Sequence, residues 1–579
     1  MPLPIQSIFP GALENAYRRE LQNLMDKNAV SRLWAKDISL WPVEEHQAES
    51  VSSNLGWLDL PDQLEPLMAR VLSRAAEIEP AGFEDVVFIA TGDSSLAAEA
   101  TLRLPGAKLG KRSFLLDTID PDTIHALEEQ LHLERALFIF ANKSGKSIET
   151  HTLLLYFLHK LASLGIDSPG RHFVALAEGD SYLAGHARSY GFADAFFDPA
   201  GILGRYSSLI HFNFFLAAVG HFEPQDLLAR GRSMRDACGP SAPDGGNPAL
   251  ALAALIAAGE IEGFHRLVLL GPDSLDPFAY RIARLVGASL GKRGRGIIPI
   301  VGRASYGFDL LGRKSLVAIL KMGGEELAEL AKKCDELHAA NVPLVAIELN
   351  GPGDLGVELF KWEIAAALSC VPLQSNPFDG PDFRESRTKA IQILDQMTKS
   401  QQVPSPTVRV KEGHIELSVE GETRQQISTL NMTEALRTFL SLRDPDGYLA
   451  LIPFLGRGAQ LRVILQGIRN RLESALSIPV LIMPGPRRLD GLGQICKSSP
   501  PVGLFILLTA NPVTDIGVPG AGYSFGQLQL ALAIAEFESL GRNERPVIRL
   551  HLARGAEQGL IQLESLFAGA LGKGRTAVP

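Results

Sequence analysis

The sequence predicts an α/β protein built from stacked parallel sheets, and three observations carry that prediction. Short runs of β-branched and aromatic residues alternate with helical-period stretches along most of the 579 residues. Each run ends in a short polar or glycine-bearing loop that opens a helix, which is the order of a βαβ unit. The stretch Cys238-Gly-Pro-Ser-Ala-Pro-Asp-Gly-Gly-Asn-Pro248 sustains neither helix nor strand and divides that alternation in two.

Taken in order, residues 1–80 read as a helical N-terminal arm, with amphipathic stretches over 13–27 and 62–76. Residues 81–235 form a first α/β domain, with strands expected at 86–91, 113–117, 137–141 and 172–177. After the linker, residues 247–400 form a second domain with strands at 266–270, 297–301, 315–321 and 343–349 and a helix over 325–340. Residues 401–425 read as a connector holding a hairpin, because Val408-Arg-Val-Lys and His414-Ile-Glu-Leu-Ser-Val alternate on either side of Glu412-Gly413. A C-terminal α/β segment, 426–579, adds strands at 448–454, 479–483, 503–508 and 547–552, and its tail frays beyond 571.

Composition narrows the function. With 46% hydrophobic and 21% charged residues the chain has ordinary globular make-up and length enough for several cores. A formal net charge of −9 and a pI near 5.9 speak against a nucleic-acid partner, which demands clustered excess cation. The four cysteines lie far apart with no CxxC pair, so neither a disulfide framework nor a metal site is expected, and a reducing cytoplasm fits. No apolar run approaches the roughly 20 residues that span a bilayer, and no signal peptide opens the chain, so no membrane role is expected.

The most informative segment is Phe138-Ile-Phe-Ala-Asn-Lys-Ser-Gly-Lys-Ser-Ile-Glu-Thr150, an apolar strand that empties into a loop of hydroxyls and cations before a helix. Lys143, the hydroxyls of Ser144 and Ser147, the backbone N–H groups around Gly145 and the positive end of the helix converge as a cradle for a phosphate monoester. Two nucleotide patterns fail. Gly145-Lys146-Ser147 lacks the leading glycine of a Walker A loop, since Phe140 stands there, and Pro352 removes a donor from Gly351-Pro-Gly-Asp-Leu-Gly356 where pyrophosphate would sit. No cofactor is expected.

The loop resembles the Ser-Lys-Ser-Gly-x-Thr-x-Glu-Thr signature of the sugar isomerase (SIS) domains of glucose-6-phosphate isomerases, and further segments follow in that family's order. Ala90-Thr-Gly-Asp-Ser-Ser-Leu-Ala-Ala-Glu-Ala100 resembles its sugar-approaching turn, matching at Ser94 and Ser95 but placing Asp93 where the family has glycine. Read alone, that turn is a helix start capped by Asp93. Gly204-Arg205-Tyr206-Ser207 resembles Gly-Gly-Arg-Tyr-Ser, whose arginine steadies negative charge. Arg32-Leu-Trp-Ala-Lys-Asp, Gly291-Lys-Arg-Gly-Arg-Gly-Ile-Ile-Pro-Ile-Val-Gly302, Trp362-Glu363, Asn376-Pro-Phe-Asp379 and Gly485-Pro-Arg-Arg-Leu-Asp-Gly-Leu-Gly-Gln-Ile-Cys-Lys497 bring the likeness close to the isomerase half of bifunctional transaldolase/glucose-6-phosphate isomerases. The resemblance implies tandem SIS-type, flavodoxin-like sandwiches completed by the C-terminal segment, substrate contacts from Gln494 and Lys497, a homodimer, and a transaldolase or other sugar-phosphate enzyme as partner.

The same resemblance implies lost chemistry. Aldose–ketose isomerisation needs a carboxylate to move a proton between two carbons, a relay for ring opening and cations for the enediolate. Arg303 stands where the family's Pro-Val-Val-Gly-Glu supplies the base, and an arginine stays protonated. Asp490 and Cys496 replace the two histidines of Leu-His-Ser-Thr-Gly-Gln-Leu-His-Lys, and Arg387 replaces a lysine. The expectation is a catalytically degenerate homologue that holds a phosphorylated sugar or other small anion as a regulatory or scaffolding subunit. Its alternatives are an active phosphosugar isomerase, with Asp490, Glu149 or Glu363 as a displaced base, and a purely structural interaction protein with an empty cradle.

Overall fold

The computed structural model describes residues 3–572 except 64, 79–81, 104–111, 144–146, 200, 211–223, 244–245, 313, 323–326, 401–405, 486 and 488. The chain divides into two units. The first comprises residues 1–117, 131–305 and 314–379, and the second comprises 118–130, 306–313 and 380–579.

The first unit opens on β1 (Ile5–Phe9) and then builds a five-stranded sheet from β2 (Asp85–Ala90), β3 (Arg112–Leu116), β4 (Ala136–Ala141), β5 (Phe173–Glu178) and β6 (Asp194–Asp198). Their order is β3-β2-β4-β5-β6 and every pairing is parallel. All residues of β2 and β4 are buried, the signature of a sheet covered on both faces. Phe138 of β4 stacks on Phe173 of β5 and packs against Phe157 of the helix Ile148–Ser163, which fixes that helix on the sheet.

The second sheet of this unit takes β7 (Arg266–Leu270), β8 (Ile298–Gly302), β9 (Ser315–Met322) and β10 (Leu344–Leu349) in the order β1-β10-β9-β7-β8. Its four later strands are parallel, whereas β1 closes the edge antiparallel to β10, from Ile5 opposite Glu348 to Phe9 opposite Leu344. Most of residues 1–80 is helical, but Ile5–Phe9 is a strand that finds its ladder on a distant segment, which local patterning does not reveal. The linker also ends with a function, since Asn247 caps the helix Pro248–Ile261 through Oδ1 to the N–H groups of Ala249 and Leu250, with proline at the first helical position.

The second unit holds one six-stranded sheet, ordered β11-β12-β16-β15-β13-β14, from β11 (Val408–Glu412), β12 (Ile415–Val419), β13 (Tyr448–Phe454), β14 (Val480–Ile482), β15 (Gly503–Ala510) and β16 (Val547–Leu552). The expected hairpin is present, with Gly413 at φ +58° in its turn, but it extends this sheet through antiparallel pairing of β12 with β16. A buried triad ties residues 306–313 to the same unit: Tyr306 Oη donates to Glu473 Oε1 at 2.6 Å, and Arg469 donates to both Glu473 and Tyr306.

Candidate functional site

The described members of the expected cradle, Lys143 and Ser147, follow β4 in the first unit, at the carboxyl end of a parallel sheet, where such sheets place their ligands. Ser147 is the N-cap of Ile148–Ser163: its Oγ accepts from Thr150 N–H at 3.3 Å and donates to the buried Glu149 carboxylate at 2.8 Å, while Thr91 hydroxyl donates to it at 3.4 Å. Ser144 lies outside the described residues. Lys143 is turned away from a role as a loose cation, because its Nζ donates to Glu178 Oε1 at 2.7 Å and to the Pro199 carbonyl at 3.2 Å, and it is buried there.

After β2 the chain turns at Gly92, with φ +63°, into the helix Gly92–Arg103. Ser94 is half-buried and Ser95 fully buried, its hydroxyl donating to the Gly92 carbonyl at 2.8 Å. Asp93 does not cap. The carboxylate sits inside the first turn and takes a bidentate pair from Arg284, Nε to Oδ1 at 3.1 Å and Nη2 to Oδ2 at 3.0 Å, with both side chains buried.

Arg205 leads a group of charges around that pair. Its Nη2 donates to the carbonyls of Pro377 and Asp379 at 2.9 and 3.4 Å, binding two of the recognised motifs together, while its Nε is buried with no hydrogen-bond partner. Lys292 clamps the same segment, donating to the Asn376 carbonyl and, at 2.7 Å, to that of Ser289. Burial lowers the affinity of Arg205 and Arg281 for their protons and pulls the Lys292 ammonium down to about 7. Glu363, buried on the helix Asp354–Ser369, accepts from Ser208 N–H at 2.9 Å and Ser208 Oγ at 2.8 Å, and burial pushes its carboxyl up to about 8. Asp93, Asp379, Arg281 and Arg284 all act on this group electrostatically. Sequence reading passed over Arg281 and Arg284, whose signal was two arginines one turn apart in the otherwise apolar Phe278-Ala-Tyr-Arg281-Ile-Ala-Arg284-Leu-Val.

Arg303 follows β8 directly and is exposed. The other expected positions lie in the second unit. Gln494 and Lys497 sit on the helix Leu489–Ser498, and Gln494 Nε2 donates to Ser498 Oγ at 3.1 Å. Lys497 Nζ, fully buried, donates to Glu536 Oε2 and Ser386 Oγ at 2.7 Å each, so its charge is balanced within the unit. Burial pushes the neighbouring Cys496 thiol up to about 12, which leaves it no proton to exchange near neutrality. Arg387 is half-buried on the helix Pro381–Ser400. Asp490 lies on the same helix as Lys497, with its side chain outside the description.

No protein-family profile matches the chain. Among curated proteins, the probable glucose-6-phosphate isomerase of Haloquadratum walsbyi is 24% identical over 338 residues, 51% of this chain and 78% of that protein. The glucose-6-phosphate isomerase of Treponema pallidum is 34% identical over 134 residues, 22% of this chain, and the match spans only 24% of the Treponema protein. A solved glucose-6-phosphate isomerase from Chlamydia trachomatis superimposes with a TM-score of 0.51 at 18% identity, over 64% of this chain and 78% of that one, a likeness of fold. Among the described residues no helix is long and apolar enough to cross a membrane.

Proposed function

We propose that this chain, which is similar to glucose-6-phosphate isomerases and carries a tandem SIS-type α/β fold, holds a sugar phosphate or similar small anion without isomerising it, as a regulatory or scaffolding subunit. One contrast supports this reading. The carboxylates named above are committed, Asp93 to Arg284, Glu178 to Lys143, and Glu363 and Glu149 to serine donors, whereas Arg205 keeps a buried Nε that an anionic oxygen would satisfy. A base for carbon-bound protons must be ionised and within reach. Glu363 is held protonated through neutral pH, and an arginine follows β8 where the resemblance puts the base. Positioned acid–base groups contribute about 100- to 10,000-fold each, so losing base and relay together removes turnover from the working range. The partners on this reading are a second copy of the chain and a sugar-phosphate enzyme of the transaldolase kind.

The test pairs binding with chemistry on the full chain. Calorimetry with 6-phosphogluconate is expected to show a binding heat that Arg205→Ala abolishes, while fructose 6-phosphate incubated in deuterated water gains no label at carbon 2 of recovered glucose 6-phosphate. Label incorporation overturns the loss of chemistry; silence in calorimetry overturns the anion site.

A further inference from the structure

An anion already lies among arginines in the first unit, and it belongs to the chain itself. Asp93 stands buried in the first turn of Gly92–Arg103, and the Arg284 guanidinium meets both of its oxygens, at 3.1 and 3.0 Å. Its Oδ2 also lies against the turn that carries Arg205, since a Cβ at Gly204 would come within 3.2 Å of that oxygen. Arg281, one turn before Arg284 on Asp276–Leu290, feels the same carboxylate, and so does Arg205. Three guanidiniums thus act on one buried carboxylate. Of the two carboxyls that act on Arg281, Glu363 stays protonated through neutral pH, which leaves the negative charge to Asp93.

The geometry is that of a bound ligand. A guanidinium fork facing both oxygens of one oxyanion is how arginine takes free carboxylates and phosphates, and here a side chain supplies the oxyanion. A pin between two helices and an occupied subsite differ in one respect. Only the subsite takes a replacement anion once the Asp93 side chain is gone, because the buried charge of Arg284 then lacks the acceptor that met both its arms and the vacated volume fits another. Asp93→Gly removes a CH2–COO− group, so acetate matches the gap in size and charge.

We propose that Asp93 is a resident oxyanion: its carboxylate fills an arginine subsite for a carboxylate or similar two-oxygen anion and keeps external anions off it. Resting on the reading of Arg205 as the ligand's anchor, the same charge sets the affinity of the site, because a ligand arriving at Arg205 meets an anion already installed beside it. Asp93 is thereby an affinity-setting residue as well as a helix clamp.

The test compares full-length wild type with Asp93→Gly in sodium acetate and in sodium chloride of equal ionic strength. The variant is expected to be destabilised in chloride and to regain melting temperature with acetate in a saturating way, well beyond any acetate effect on wild type. Adding Arg284→Met should remove the rescue while Arg205 stays in place, and Asp93→Asn, which keeps the shape and fills the gap, should show none. Calorimetry with 6-phosphogluconate in the absence of acetate is expected to show binding to Asp93→Gly at least about tenfold tighter than to wild type, the effect of one like charge removed nearby. If Asp93→Gly does not fold, Asp93→Ala with formate replaces it. No rescue by either anion, or rescue that persists with Arg284→Met, overturns the subsite; equal or weaker 6-phosphogluconate binding overturns its control of affinity. Silence of 6-phosphogluconate in both proteins overturns the Arg205 anchor instead, and the rescue alone then decides the subsite.

Discussion

Arg284 grips both carboxylate oxygens of Asp93, at 3.1 and 3.0 Å, and so locks the helix Asp276–Leu290 to the helix Gly92–Arg103 at the edge of the cradle. The pair answers the one residue that most sharply departs from the family's glycine-rich turn: the added negative charge arrives with its own counter-cation. Removing one partner of a buried pair leaves the other uncompensated, at about 3–5 kcal/mol. Asp93→Ala is therefore expected to lower stability by that order in urea unfolding, and Asp93→Ala with Arg284→Met to recover most of it. Equal loss in single and double variants would refute a specific pair.

Glu363 makes stability pH-dependent. Its carboxyl is raised from 4.5 to about 8, so between those values the folded chain holds a proton that the unfolded chain has released. Its contribution is thus fully present below about pH 4.5, is lost progressively as pH rises to about 8, and changes no further above that. Glu363→Gln keeps an acceptor for Ser208 but cannot ionise. Wild type is expected to lose on the order of a few kcal/mol relative to this variant between pH 5 and pH 8.5, measured by denaturant unfolding at both; parallel curves would show that Glu363 ionises as freely folded as unfolded.

In the second unit, Lys497 and Glu536 are buried partners at 2.7 Å. Lys497→Met should cost about 3–5 kcal/mol through the stranded carboxylate, and adding Glu536→Leu should restore most of it, since packed apolar replacements of such pairs are often neutral. Thermal unfolding of both variants decides. A milder loss in the single variant than in the double would place the importance of Lys497 elsewhere.

Restoring a carboxylate after β8 should not restore chemistry. On the resemblance, Arg303→Glu supplies an ionisable group where the family has its base but brings back neither of the histidines that Asp490 and Cys496 replace. Turnover of glucose 6-phosphate by this variant in a coupled assay is expected to remain undetectable. Measurable turnover would mean that the base was the sole missing group.

The regular parts of the fold were legible because their causes are local. β4 is a continuous apolar run and β2, β7 and β15 depart from one only near their ends, at Asp85, Arg266 and Thr509, and the strands expected at 86–91, 137–141, 266–270 and 503–508 match them within two residues. Asp194–Asp198 escaped notice because two aspartates bracket only three residues, and Ile5–Phe9 because half its pattern is an exposed edge. At the site, cations such as Lys143, Arg205 and Lys497 could be placed from motifs, but what each touches could not. Glu178, the Pro377 carbonyl and Glu536 are brought by other segments, and an ion pair across 35 or more positions leaves no periodicity to read.

The antiparallel match of Ile5–Phe9 with Leu344–Leu349 also sets a timetable. A ribosome adding about 5–20 residues per second releases β1 tens of seconds before the segment it must join. Throughout that delay the nascent strand, with Ile5, Ile8 and Phe9 uncovered, has every chance to pair with the wrong neighbour, and Gln6 and Ser7 interleaved among them are what keep it from being a uniformly sticky ribbon. Completion of the second sheet thereby waits on β10, and depends on a strand made long before the partner it pairs with.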